Sequence, residues 1–264
     1  MSPVKEPNYF IKGSGYEDWE QYLKLFHDAV DKDAIGESSA GYSYRQESPG
    51  WIKSVLGDVR VIMLLRNPSH RAFSLYGWMV REGCEDAPTF AEALEREEAR
   101  MNDPTFRERC PHFFDDYLYF TTGFYYEQVS RYFETFGRDR VKVFLFEEFI
   151  SHPLTVCHEI FRFLGIDDSF VPEMEIHNKG RIPKSITLQS WLRSRSTGPS
   201  RWPVMGSLTG RIAALAMEWN VRLGGKSSPD AELMESLTEA YRDDIKRLEI
   251  LMGRDLSLWL RKRR

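Results

Sequence analysis

The chain has 264 residues, of which 29% are charged and 14% aromatic, and its formal net charge is −4. This length and composition predict a folded domain with a sizeable core and exclude a disordered chain. The negative net charge argues against a general nucleic-acid binder. No stretch reaches transmembrane length and no charged-then-apolar leader opens the chain, so we expect a cytoplasmic protein without a membrane span.

The N-terminal third predicts helices around one buried strand. Apolar residues from Trp19 to Val30 recur at helical spacing, and Ala34 to Gly36 suggests a short strand. Val61 to Leu65 is continuously apolar, which predicts a strand over 59–65 that is buried on both faces. Asn67-Pro68 then signals a helix start. Helical spacing continues this helix through the following apolar positions: Ala72, Phe73, Tyr76, Met79 and Val80.

The rest of the chain predicts further helices and a second strand. In chain order these are a polar helix over about 88–101, a helix with one face from Tyr126 to Phe136, a strand from Val141 to Phe146, a helix over 153–164, an irregular segment over 177–185 and further helices to the end. Strands that alternate with helices predict an α/β fold, with a central parallel sheet flanked by helices. We expect one domain over residues 1–264.

The first candidate site lies where the strand 59–65 ends. Arg66 stands at its carboxyl end and before a helix N-terminus, the place where open α/β sheets bind ligands and where anions are favoured. Ser74 can lean back along the helix toward that N-terminus. An arginine fork and a hydroxyl suit a phosphate. The alternative for Arg66 is a structural ion pair.

The second candidate site is the segment "HNKGRIPKS", 177–185. Gly180 and Pro183 preclude regular structure, so Lys179, Arg181, Lys184 and exposed backbone amides could surround an anion. Between Asn178 and Met217 the chain has no Asp or Glu but several Lys and Arg residues. These residues indicate a patch for an anionic ligand, and a solvated basic surface is the alternative.

The third candidate is Lys5-Glu6 in "KEPNYF". A carboxylate beside a cation is usually surface decoration, but near a pocket it can act as a general base. The three cysteines (Cys84, Cys110 and Cys157) share no metal-ligand or redox spacing. We therefore expect thiols that are buried or in a reducing compartment, and no metal cofactor.

Together these segments resemble sulfotransferases that use 3′-phosphoadenosine 5′-phosphosulfate (PAPS), in the heparan-sulfate-type and bacterial branch. The matching stretches are "KEPNYF", "GESSAGYSY" (36–44), "RNPSHRAFSLY" (66–76), "FYYEQVSRYFETFGRDRVKVFLFEEF" (124–149) and "HNKGRIPKS". They occur in the family's order and spacing, from residue 3 to about residue 260. The resemblance implies a P-loop-type sulfotransferase fold.

The resemblance also implies roles for the candidate residues. Arg66 and Ser74 would hold the 3′-phosphate of the nucleotide. The basic segment with Lys179, Gly180, Arg181 and Lys184 would cover the phosphosulfate side. Glu6, beside Lys5, would be the catalytic base.

The sequence departs from the family pattern at its start. The family's first strand, its Lys-x-Gly-Thr-Thr loop and its first helix are not found, and Ala40 replaces the usual proline of the "GESSAGYSY" stretch. We therefore expect an N-terminally incomplete domain, and the departure leaves the activity of this chain open. One alternative is a degenerate sulfotransferase that binds the nucleotide or a partner without turnover.

Another alternative is a phosphate-loop kinase. It would need Gly-Lys-Ser/Thr after a strand, whereas Gly225-Lys226-Ser227 follows a helical pattern. The acceptor, a hydroxyl or amine on a carbohydrate or small molecule, cannot be read from the sequence. An anionic glycan would match the basic stretch 178–217, and a lipid or phenol would match the aromatic residues from Phe124 to Tyr126.

Overall fold

The computed structural model describes residues 2–13, 18–110, 112–173, 181–196, 208–225 and 228–261. The chain divides into two compact units. Unit 1 comprises Met1–Arg66, Tyr125–Glu175 and Asp244–Asp255, and unit 2 comprises Asn67–Phe124, Ile176–Asp243 and Leu256–Arg264. A single domain over 1–264 stays a prediction.

The described residues form two strands and twelve α-helices. In chain order these are α1 (Trp19–Lys24), α2 (Ser48–Leu56), β1 (Val61–Leu65), α3 (Pro68–Arg81), α4 (Phe90–Met101), α5 (Pro104–Arg109), α6 (Tyr125–Phe136), β2 (Val141–Leu145), α7 (Phe146–Ser151), α8 (Pro153–Leu164), α9 (Ile186–Ser196), α10 (Leu208–Arg222), α11 (Ala231–Ala240) and α12 (Arg242–Met252). Short 3₁₀ turns lie at His27–Ala29, Ala40–Tyr42, Phe114–Tyr117, Thr121–Gly123 and Ser257–Leu260.

The two strands of unit 1 pair in parallel, in register from Val61 with Val141 to Leu65 with Leu145. This confirms the predicted parallel sheet. The prediction that β1 is buried on both faces is wrong, however, because Ile62 is 37% and Leu64 is 48% exposed. Alternate residues of a strand point to opposite faces. One face of β1 is therefore buried, whereas the other is partly open.

The strongly periodic helices agree with their predictions. α3 begins after Asn67, whose side-chain oxygen accepts a 3.2 Å hydrogen bond from the amide of His70. Its buried positions include Ala72, Tyr76 and Met79, as helical spacing predicts. The observed bounds of α4, α6 and α8 also match the predicted segments within a few residues.

The N-terminal helix is shorter than predicted. α1 ends at Lys24, and only a 3₁₀ turn follows it. Leu23 and Val30 are exposed, so the apolar spacing does not correspond to a packed face over the whole segment. Short helices gain most of their stability from such packing. Residues 34–36 form no strand.

Unit 2 contains a fully buried carboxylate, Glu85. Both terminal nitrogens of Arg100 donate to it at 2.8 and 2.7 Å, and the hydroxyl of Tyr119 donates at 2.7 Å. The amide of Ala87 donates a fourth hydrogen bond. Burial by itself would raise the pKa of Glu85, but the hydrogen bonds and charge of Arg100 outweigh it and lower that pKa. The ion pair therefore links α4 to the segment that follows α3.

Replacing Arg100 with Leu should destabilise the protein by about 3–5 kcal/mol, because it leaves the Glu85 carboxylate buried without its cation. Urea unfolding at neutral pH measures this loss. Because the pKa of Glu85 is lowered by folding, the pair stabilises the protein above the unfolded pKa of about 4.5. That stabilisation should disappear as the pH falls through the folded pKa, so wild type and variant should converge in acid.

The matched control is Arg242→Leu, which breaks an exposed pair with Glu239 in the same unit. Exposed pairs contribute little. We therefore expect an unfolding midpoint like that of the wild type. An Arg100→Leu midpoint equal to that of the control would contradict the role given to the buried pair.

Candidate active site

The "KEPNYF" segment lies against the "GESSAGYSY" stretch and the start of α2 within unit 1. The amide of Asn8 donates to the hydroxyl of Ser39 at 3.0 Å. The amide of Phe10 donates to the hydroxyl of Tyr42 at 3.3 Å, and Ser48 donates to the carbonyl of Phe10 at 2.7 Å. Three hydrogen bonds over 31 to 38 residues of sequence therefore fix this segment.

The backbone around the predicted base is unusual. Glu6 and Asn8 both have left-handed φ angles, 52° and 54°, and neither is glycine. The side chain of Asn8 is buried and donates to the carbonyl of Glu6 at 2.8 Å. Such conformations persist where surrounding contacts determine them. Glu6 is half-buried and Lys5 is exposed, so the turn presents both residues near the surface.

A second carboxylate, Glu37, organises this part of unit 1. It accepts hydrogen bonds from the hydroxyls of Ser39 at 2.8 Å, Tyr42 at 2.5 Å and Tyr22 at 3.3 Å. Burial, followed by the charge of Glu37, raises the pKa of both tyrosines. Their hydroxyls therefore stay protonated and donate to Glu37.

The sequence alone assigns no role to Glu37, Ser39 and Tyr42, although they lie in the "GESSAGYSY" stretch. They lie in an irregular segment and a single 3₁₀ turn, so no helical or strand period marks them. Their partners Tyr22 and Asn8 are distant along the chain. The one signal in the sequence is its composition, because Glu37 is followed closely by serine and tyrosine residues whose hydroxyls can donate to a carboxylate.

Arg66 directly follows β1 in unit 1. Its guanidinium carbon lies 5.0 Å from the ring centroid of Phe146, the first residue of α7. The guanidinium therefore makes a cation–π contact with this ring. Ser74 is an exposed residue of α3 in unit 2. The convergence of Arg66 and Ser74 on one phosphate stays a prediction.

The basic segment is partly described. Lys179 and Gly180 lie outside the described residues, whereas Arg181 and Lys184 are described and exposed. Residues 182–185 are irregular before α9 begins, as predicted. The guanidinium of Arg181 donates to the carbonyl of Arg222, in the last turn of α10, at 3.3 Å. A cation is favourable at this end of a helix dipole.

Backbone hydrogen bonds attach this segment to the end of α10. The amide of Ile182 donates to the carbonyl of Gly225, and that of Lys184 donates to the carbonyl of Asn220, each at 3.0 Å. The Asn220 side chain is buried and bonds both the amide and the carbonyl of Ser185, at 3.0 and 2.8 Å. A helix end therefore positions the two exposed cations.

A glycine permits this attachment. A Cβ on Gly224 would lie 1.8 Å from the carbonyl oxygen of Ile182, a backbone atom that cannot swing away as a side chain can. On Gly225, a Cβ would have nothing within 4 Å. Gly224 therefore does not tolerate a side chain, whereas the space around Gly225 has room for one.

Other kinds of site find little support in the described chain. None of the cysteines, all of which are described, forms a disulfide, and burial raises the pKa of Cys84 to about 11, which disfavours its nucleophilic thiolate. Within the described ranges, no group of His, Cys, Asp and Glu is placed to hold a metal ion. The described helices are also too short or too polar to cross a membrane.

Comparison with known proteins gives the family. A model described as "Sulfotransferase domain" matches residues 42–180. The chain belongs to the sulfotransferase family. A solved sulfotransferase from Alicyclobacillus acidocaldarius is similar to it, with a TM-score of 0.69 and 28% identity. The match covers 98% of this chain and 87% of that one. The α/β fold with its parallel strands is therefore the sulfotransferase fold, as the sequence resemblance implied.

Curated relatives point to the same family. Bifunctional heparan sulfate N-deacetylase/N-sulfotransferase 4 of Mus musculus is 23% identical over 270 residues, and the match covers 96% of this chain and 27% of that protein. Bifunctional heparan sulfate N-deacetylase/N-sulfotransferase 1 of Xenopus laevis is also 23% identical, and the match covers 99% of this chain and 27% of that protein. The chain thus spans about 27% of the length of these relatives. Both relatives carry N-sulfotransferase in their names, which agrees with the family match.

Replacing Gly224 with Ala should detach the basic segment from α10, because the new methyl group would overlap the Ile182 carbonyl. We expect a stability loss of about 1–3 kcal/mol, as for other overpacked sites. We also expect faster proteolysis after Arg181 and Lys184. Gly225→Ala is the control and should leave both the stability and the rate of proteolysis unchanged. Equal behaviour of the two variants would contradict the close approach at Gly224.

Proposed function

We propose that this protein transfers a sulfuryl group from PAPS to an acceptor amine or hydroxyl, with a glycan amine as the first candidate. The observation that carries the proposal is the turn at Glu6, held in a left-handed conformation by Asn8 and by hydrogen bonds to the "GESSAGYSY" stretch, in a chain of the sulfotransferase family. A carboxylate carried on a backbone that is fixed in this way suits a general base.

Arg66 and Ser74 are the proposed ligands of the donor's 3′-phosphate. A guanidinium forms charge-assisted and often bidentate hydrogen bonds with phosphate, and a serine hydroxyl adds a further donor. The Phe146 ring supports this role, because its cation–π contact holds the guanidinium of Arg66 beside the end of β1. The 3′-phosphate does not react, so its binding energy can serve to position the donor.

The basic segment is the proposed partner of the phosphosulfate side. Arg181 and Lys184 carry positive charge on a backbone attached to α10, and Lys179 and Gly180 precede them in the sequence. When bound, the donor supplies the sulfuryl group, and negative charge develops on the nucleotide that departs. Fixed cations stabilise such charge without reorganising during the reaction. Sulfuryl transfer resembles phosphoryl transfer, in which positioning and charge stabilisation supply most of the catalysis.

Glu6 is the proposed base, and it takes a proton from the acceptor nitrogen or oxygen. Lys5 lies next to it in the chain and is exposed. Glu37 supports Glu6 indirectly. The Ser39 hydroxyl donates a hydrogen bond to Glu37 and accepts one from the amide of Asn8, which holds the turn at Glu6. Glu37 is thus a positioning residue in this proposal.

The choice of acceptor rests on the relatives and on charge. The curated relatives are named as N-sulfotransferases of heparan sulfate, an anionic glycan. The acid-free stretch 178–217 would suit such an acceptor. We therefore propose an amino group on an anionic polysaccharide, ahead of a carbohydrate hydroxyl or a small molecule.

Calorimetric titration with adenosine 3′,5′-bisphosphate tests the nucleotide site. Wild type should bind this ligand and should bind 5′-AMP far more weakly. Arg66→Ala and Ser74→Ala should each reduce affinity for the bisphosphate by about 10- to 100-fold, the usual cost of hydrogen bonds to a charged group. Arg138→Ala, which removes an exposed arginine of unit 1, should bind like wild type. Equal affinity for the two nucleotides would rule out a 3′-phosphate site.

Glu6→Gln tests the base. Turnover should fall about 100-fold or more, whereas affinity for adenosine 3′,5′-bisphosphate should stay the same. The assay measures transfer of radiolabelled sulfur from PAPS to a polysaccharide with unsubstituted amino groups, and Glu108→Gln on the exposed face of α5 is the control.

A parallel loss of turnover and nucleotide affinity in Glu6→Gln would overturn the assignment of the base. Tight bisphosphate binding by the wild type without turnover on any acceptor would instead support a sulfotransferase relative that binds the nucleotide without catalysis.

A further inference from the structure

A cavity of about 310 Å³ lies within unit 1. Its apolar wall consists of five side chains from α6, β2, α8 and α12: Phe133, Val141, Val143, Phe163 and Met252. The two valines are buried, whereas the three larger side chains are partly exposed. Pockets of roughly 300–1,000 Å³ with mainly apolar walls typically bind small molecules. The cavity therefore has the size and the lining of a small-molecule site.

Four charged side chains complete the lining: Arg138, Asp139, Lys142 and Arg254. Two of the cations have carboxylate partners. The ammonium of Lys142 lies 3.4 Å from a carboxylate oxygen of Glu159. Arg254 pairs with Glu148 and donates to the carbonyl of Val143 at 3.0 Å. The third cation, Arg138, is the one that can meet an incoming anion.

Arg138 follows α6 and is exposed. Its guanidinium carbon lies 4.6 Å from the ring centroid of Phe133, and one terminal nitrogen donates to the carbonyl of Leu251 at 2.7 Å. These contacts hold the guanidinium at the cavity without neutralising its charge. Among the described residues, no carboxylate forms an ion pair with Arg138. Its other N–H groups can therefore donate to a ligand.

The charge around the cavity favours a ligand with one anionic group. Asp139 is exposed in the lining and limits its positive charge. With Glu148 and Glu159 included, three cations stand beside three carboxylates in this part of the described chain. Such a balance gives no broad positive field for a polyanion. A single guanidinium can still bind one carboxylate through two parallel hydrogen bonds.

The cavity is separate from the proposed donor site. Val141 begins β2, so the cavity lies toward the amino end of that strand. Arg66 follows the carboxyl end of β1, which pairs with β2 in parallel and in register. At about 3.3 Å per residue, the two ends of such a strand are about 13 Å apart. A ligand in the cavity therefore does not occupy the place proposed for the 3′-phosphate.

We propose that this cavity binds a small carboxylate with an apolar body, as a second ligand site. The guanidinium of Arg138 holds the carboxylate, and the side chains of Phe133, Phe163 and Met252 cover the apolar body. Arginine matches a carboxylate in geometry as well as in charge. Burial of the apolar body adds affinity that a bare anion lacks. This inference is independent of the proposed catalytic function.

Calorimetric titration of the full chain with 1-naphthoate tests the site. This probe joins one carboxylate to a flat apolar ring system. We expect 1-naphthamide, which has nearly the same shape without the charge, to bind at least about tenfold more weakly. Acetate, which lacks the apolar body, should also bind far more weakly than 1-naphthoate.

Arg138→Met tests the position of the carboxylate. Methionine keeps an apolar side chain against Phe133 but removes the charge, so affinity for 1-naphthoate should fall about tenfold or more. Affinity for 1-naphthamide should stay the same. Arg162→Met is the matched control, because it removes an exposed arginine of α8 that pairs with Asp168 and does not line the cavity. It should bind 1-naphthoate like wild type.

Met252→Gln tests the apolar wall. It replaces an apolar side chain with a polar one of similar length, so affinity for both naphthyl probes should fall several-fold. Thermal unfolding checks that the variants are folded, and the comparison of the two probes on wild type needs no variant. Excess adenosine 3′,5′-bisphosphate should leave the affinity of wild type for 1-naphthoate unchanged.

Three results would each overturn the proposal: absence of 1-naphthoate binding by the wild type, equal affinity for the charged and the neutral probe, or unchanged affinity in Arg138→Met. Displacement of 1-naphthoate by the bisphosphate would place the probe in the donor site and would contradict a second site as well. None of these results depends on whether the protein transfers a sulfuryl group.

Discussion

The proposed catalytic part of unit 1 depends on the hydrogen bonds that the carboxylate of Glu37 accepts. Ser39, Tyr42 and Tyr22 donate to it, and Ser39 in turn accepts the amide of Asn8. The hydroxyl of Tyr132 on α6 donates to the carbonyl of Tyr42, so the cluster is also attached to a packed helix. This network explains how two non-glycine residues keep left-handed backbone angles, which cost of order 1–3 kcal/mol each.

In unit 2, backbone hydrogen bonds rather than a buried carboxylate position the exposed Arg181 and Lys184. Arg181 and Lys184 belong to an irregular segment, but backbone hydrogen bonds and the buried Asn220 side chain attach that segment to the end of α10. The absence of a side chain at Gly224 makes this close approach possible. Fixed charge matters for group transfer because preorganised groups need not reorient as charge develops.

Periodic segments were predictable from the sequence, and contacts between irregular segments were not. α3, α6, α8 and β2 follow from apolar spacing and helix-start signals. The exposure of Ile62 and Leu64 was not predictable, because an apolar run does not show whether another element covers both faces of the strand. The hydrogen bonds that fix the turn at Glu6 join residues more than 30 positions apart. A single sequence carries no pattern for such pairs, so Glu37 was given no role.

The most direct test of the account is a crystal structure of the protein with adenosine 3′,5′-bisphosphate. We predict that the 3′-phosphate lies within hydrogen-bond distance of the Arg66 guanidinium and the Ser74 hydroxyl, with the 5′-phosphate toward the segment that contains Arg181. A nucleotide bound elsewhere, or a 3′-phosphate that contacts neither residue, would contradict the proposed donor site and the mechanism built on it.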